Sequence, residues 1–103
     1  MNIIKLLNGV TATGDGKIIA LDPKRVINGP VAFQLSGITT ATVILLSTIA
    51  TQQEVDEETA VWTTLKSGTF TSDTAECIIV SFPFLKANVS AYTVGTITAK
   101  IWL

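Results

Sequence analysis

The chain has 103 residues, 48% of them hydrophobic and only 15% charged, with a formal net charge of −1. A chain of this length favours one domain and buries a core without disulfides or metal, while the near-neutral balance and lack of a basic run argue against nucleic-acid binding. There is no histidine and a single cysteine, which removes Ser-His-Asp and Cys-His catalysis, an intramolecular disulfide and a zinc site together.

Residues 1–8 read as an N-terminal arm or edge strand, and residues 9–103 as a single β-sandwich domain. Asn8-Gly9 and Thr13-Gly-Asp-Gly16 are turn signals. Lys17–Leu21 is a short strand stopped by Asp22-Pro23, and Asn28-Gly-Pro30 is another turn. In Val31–Ser36 the residues Val31, Phe33 and Leu35 share one face and Ala32, Gln34 and Ser36 the other. Ser36-Gly37 is expected to turn the chain into Thr40–Ala50, whose centre, Val43–Leu46, is apolar on both faces and so suggests a doubly covered strand.

No charge lies between Arg25 and Glu54, a span long enough to cross a bilayer as a helix. Its turn residues and β-branched composition favour two strands instead, and no membrane partner is expected. Thr51–Glu58 is the one charge-dense stretch, read as a solvated loop or one helical turn; its consecutive Asp56, Glu57 and Glu58 lack the spacing of a calcium loop.

Thr59–Lys66 is a strand carrying Trp62 and Leu65, followed by a turn at Ser67-Gly68. Ala75–Phe82 is a strand, with Cys77 expected as a small buried core residue. Pro83 ends or bulges it. Phe84–Ser90 then sets Leu85, Ala87 and Val89 against Lys86, Asn88 and Ser90. Gly95–Leu103 points Ile97, Ala99, Ile101 and Leu103 inward and Thr96, Thr98, Lys100 and Trp102 outward. About seven to nine short strands with frequent turns define an all-β, antiparallel β-sandwich or jelly-roll-like fold.

Motifs for chemistry are sparse. Gly14-Asp-Gly-Lys17 lacks the length and following Ser/Thr of a phosphate loop. Asp15, Asp22, Asp73 and Glu76 sit in or beside expected turns rather than as a paired acid and base. Asn88-Val-Ser90 matches a glycosylation sequon. No catalytic residue, cofactor or metal ligand is assigned.

The features that do suggest interaction are Trp102, on the outward threonine-rich face of the last strand, and the apolar N-terminus with Ile3, Ile4, Leu6 and Leu7. This segment either adds a strand to its own sheet or docks on another subunit. The second alternative predicts that deleting residues 2–7 weakens assembly without unfolding the domain. Low charge and abundant Thr and Ser fit a protein that works in a symmetric assembly.

The pieces Ser36-Gly37, Thr42–Leu46, Trp62 with Leu65, Phe82-Pro-Phe-Leu-Lys-Ala-Asn-Val89 and Gly95–Leu103 follow one another in an order that resembles the small β-sandwich structural proteins of tailed bacteriophages. The resemblance covers about residues 36–103; Lys86 stands where the family pattern has arginine, and the loop before Trp62 is longer and acidic. It implies a non-enzymatic virion component assembled in the bacterial cytoplasm, first of all a capsid decoration (cement) protein. The implied partners are copies of itself, with a trimer favoured, and the major capsid protein or another virion protein. A neck or tail component and a carbohydrate-binding module are the alternatives. The last would need aromatic platforms, for which only Trp102 and Tyr92 are available.

Overall fold

The computed structural model describes residues 3–20, 30–79 and 83–102. These form β1 (Ile3–Val10), β2 (Gly14–Asp15), β3 (Ile19–Ala20), β4 (Pro30–Thr48), helix α1 (Gln52–Asp56), β5 (Thr63–Phe70), β6 (Thr74–Ile79) and β7 (Phe84–Trp102). All seven strands belong to one sheet of order β1-β7-β4-β5, with β2 and β3 also on β7 and β6 also on β4; every pairing is antiparallel. The fold is all-β, as the alternation predicts.

Two strands organise it. β4 and β7 are 19 residues each and pair from Ala32 opposite Trp102 to Thr48 opposite Phe84. One half of this ribbon carries β6 and β1 on its edges. The other half carries β5 on one edge and β2 and β3 on the other. The ribbon bends at its middle and lays one half on the other, so one sheet makes both layers of the sandwich. Val31, Phe33 and Leu35 of the first layer join Val43, Leu45, Leu85, Ala87 and Val89 of the second in one buried cluster. The Phe33 and Phe70 rings, 5.3 Å apart, cross between the layers.

The bend corrects two expectations. Ser36-Gly37 does not reverse the chain; β4 runs straight through it with successive register shifts between Ser36 and Ala41. Nor does Gly95 begin a strand, since β7 is continuous through it. Gly37 has φ +83° and Gly95 φ +136°, and a Cβ on Gly37 would run into the Thr96 carbonyl oxygen. Only glycine accepts that backbone and that approach. The side chain of Asp73 accepts from the Ile38 amide at 2.9 Å, tying the β5–β6 connection to the same corner.

The other glycine signals fall the same way. Ser67-Gly68 is not a turn: β5 begins at Thr63 and continues to Phe70, and its extra residues bulge opposite Leu45. Asn8-Gly9 is a bulge inside β1, with Gly9 at φ +63°. Thr51–Glu58 contains one helical turn, held by a capping box in which the Thr51 side chain accepts from the Glu54 amide and Glu54 accepts from the Thr51 amide.

Two burial expectations and one placement also change. Val43 and Leu45 are fully buried, but Ile44 and Leu46 on the other face are only partly covered. Cys77 is exposed: the ladder sets Ile78 opposite inward-facing Val31 and Cys77 opposite Ala32, so Ile78 takes the core side. Glu76 lies within β6 rather than at a turn.

Leu6 and Leu7 are 1% and 2% exposed, and the N-terminal segment is an edge strand of its own sheet. A register shift between Lys5 and Leu7 lets two successive leucines face the core. The Leu6 carbonyl accepts from the Lys17 amide at 2.9 Å while the Gly16 amide donates to the Ala87 carbonyl at 2.7 Å, which joins the layers at this edge. Deleting residues 2–7 therefore removes core, at about 2–5 kcal/mol for each leucine side chain, and does not leave an intact domain. The readings at Leu21–Gly29, at Phe82 and at Leu103 lie outside the described residues. Among the described residues, no helix is long and apolar enough to cross a membrane.

Candidate interaction surface

The first layer turns an apolar row outward. Register places Cys77 of β6, Ala32 of β4, Trp102 of β7 and Ile3 of β1 side by side across four strands. Strand alternation makes this possible, because Val31, Phe33 and Ile101 take the inner face and leave their neighbours outside. Trp102 is 50% exposed and Ile3 69%. They border an open groove of about 430 Å³ whose floor is largely apolar. The next row reads Ala75, Gln34, Lys100 and Lys5, so the groove is flanked on one side by two lysines.

Of the interaction residues expected from sequence, Ile3 and Trp102 meet on this surface. Ile4 is partly buried and packs on the core, and Leu6 and Leu7 belong to the core itself. Sequence reading missed Ala32, Cys77 and the lysine pair. Alternation alone shows that Ala32 and Lys100 point outward, but only the ladder register shows which outward residues are neighbours.

A polar cluster occupies the outer face of the second layer. β2 sets Asp15 opposite Asn88, and Lys86 is the next outward residue along β7. The Lys86 Nζ donates to Asp15 at 3.0 Å and the Asn88 Nδ2 donates to Asp15 at 2.7 Å. Nζ also lies 4.4 Å from the centroid of the Trp62 ring, an attractive geometry for a cation over an aromatic face. The hydrogen bond from Lys86 holds the Asp15 carboxyl below its ordinary 3.8, helped by Asn88 and the lysine charge and opposed by partial burial. The lysine is 8% exposed, so the cluster pins the approach to β5 onto the sheet; it is not an open site. Likewise the Tyr92 hydroxyl donates to the Gly95 carbonyl at 2.6 Å and braces the corner. Neither ring is a free platform, which among the described residues leaves Trp102.

The excursion between β4 and β5 forms a further surface. The Thr48 hydroxyl donates to the Val61 carbonyl at 2.7 Å and closes its base. Ile49 and Val61 there are 79% and 80% exposed, and α1, with Glu54, Asp56, Glu57 and Glu58 in or just after it, buries no residue. No protein-family model, curated protein or solved structure matches the chain.

Proposed function

We propose that the chain is a non-enzymatic structural protein of a virion, a capsid decoration protein that strengthens a shell through contacts between subunits. The observation that carries this reading is the outward row of Ile3, Ala32, Cys77 and Trp102 on a sandwich whose layers share continuous strands. Exposed aromatic and aliphatic surface on a rigid frame suits a protein partner. The order of segments across residues 36–103 supports a phage shell as that partner.

The mechanism is physical. A compact sandwich seated where shell subunits meet adds apolar contacts to each of them and so opposes their separation. The groove supplies the apolar anchor and Lys5 and Lys100 supply polar rim contacts. No proton transfer or covalent step is involved.

The test is addition of purified protein to phage shells assembled without it, followed by sedimentation and thermal rupture. The expected outcome is saturable co-sedimentation and a higher rupture temperature, with Trp102→Ala retained at least about tenfold more weakly while remaining folded. Absence of the protein from the shell pellet at every concentration overturns the decoration reading. Binding to isolated tails instead assigns a neck or tail place, and retention on a glycan array assigns a carbohydrate-binding module.

A further inference from the structure

Charge and exposed apolar surface are divided unevenly between the layers. The outer face of the first combines Trp102 and Ile3 with Lys5 and Lys100, which register sets directly opposite one another. Like charges in that position oppose sheet formation, and neither lysine is salt-bridged: among the described residues the one salt bridge joins Lys86 to Asp15, and Glu76, which also lines the groove, stands on β6, across β4 from the lysines. The β4–β5 excursion is the reverse. It carries Glu54, Asp56, Glu57 and Glu58 and no basic residue between Thr48 and Thr63, with exposed Ile49 and Val61 at its base. One patch is apolar and cationic, the other apolar and anionic, and they belong to different layers.

We propose that these patches are the two halves of one head-to-tail contact, in which the acidic excursion of one copy docks on the lysine-flanked groove of the next. The occupant is a second copy because the chain itself supplies the complement. Carboxylates on or beside α1 meet the lysine pair and relieve its repulsion, while Ile49 and Val61 cover the apolar row at Trp102. A net charge of −1 leaves little long-range repulsion between copies. Such a contact is heterologous: it closes into a ring, of which a trimer is one form, or grows as a filament. It describes free copies, whose groove is not yet on the shell that the decoration reading assigns to it; it needs no shell, so its failure is separable from failure of that reading.

The experiment is light scattering on purified protein over a range of concentrations at low and high salt. The wild type is expected to exceed the 10.9 kDa monomer mass and to fall toward it at about 1 M salt, where charges are screened beyond about 3 Å. Reversing the groove (Lys5→Glu with Lys100→Glu) or the excursion (Glu57→Lys with Glu58→Lys) is expected to weaken association at least tenfold. Mixing the two variants, or joining all four changes in one chain, restores it. In the wild type, carbodiimide coupling links Lys5 or Lys100 to Glu57 or Glu58 in multimer bands only, a readout independent of how any variant folds. A monomer at all concentrations in low salt overturns the proposal. So do single-patch variants that assemble like wild type, and multimer bands without those cross-links.

Discussion

At the scale of single residues, the most informative position is Lys86. A lysine this buried must have its charge answered, and Asp15 and Trp62 answer it from two separate parts of the chain, while Asn88 donates to Asp15 and holds that carboxylate in place. Asp15 is half exposed, so the pair contributes less than a buried one; Asp15→Asn is expected to cost about 1 kcal/mol at neutral pH. The acid dependence follows from the direction of the shift. Folding lowers the carboxyl below 3.8, so its contribution is complete above that value and is lost as pH falls through the lower folded value. Urea unfolding from about pH 7 to about pH 2 should therefore show a shallower acid decline for Asp15→Asn than for wild type. Parallel curves would remove Asp15 from any role in acid stability.

At the scale of elements, glycine placement decides the architecture. Gly37→Ala is expected to lose at least about 3 kcal/mol, because alanine disfavours φ +83° and its methyl meets the Thr96 carbonyl. Gly14→Ala tests the argument: a Cβ there has open space, so only its φ of +142° should count, and the loss should be smaller. Equal losses in denaturant unfolding would mean that close approach at the corner is unimportant. These positions also mark how far sequence can be read. Alternation located the inward sets Val31, Phe33 and Leu35, then Leu85, Ala87 and Val89, then Ile97, Ala99 and Ile101, because a strand's period is local. A glycine's φ is set by what lies across the sheet, so a bend, a bulge and a reversal look alike in sequence. Cys77 was misplaced for a related reason. From Cys77 onward both alternating sets are apolar enough to enter the core, and the choice is made by pairing with Val31, far away in the chain. The outward row was legible at Trp102 and Ile3, while Ala32 and Cys77 needed the ladder.

At the scale of the molecule, the two layers are not independent units, because β4 and β7 each pass through both. Most sandwiches join their sheets through loops, and one sheet can then open while the other holds. Here, freeing the first layer loosens the two strands that the second shares with it and uncovers the core side chains packed between them, and β1 returns the far end of the chain to Trp102 to complete the edge. Local opening free energies should therefore converge on the global value across both layers. Ile101→Ala, at a first-layer position 1% exposed, should cost about 2–5 kcal/mol. Amide hydrogen exchange should show the same loss at Val43, Leu45 and Ala87 in the second layer as at Phe33 and Leu35 beside the change. If the second layer keeps its wild-type protection, the corner at Gly37 and Gly95 is a hinge between separately stable halves. If protection falls equally, a load applied to the groove at Trp102 is carried by the whole sandwich, the mechanical property that a shell-strengthening protein needs.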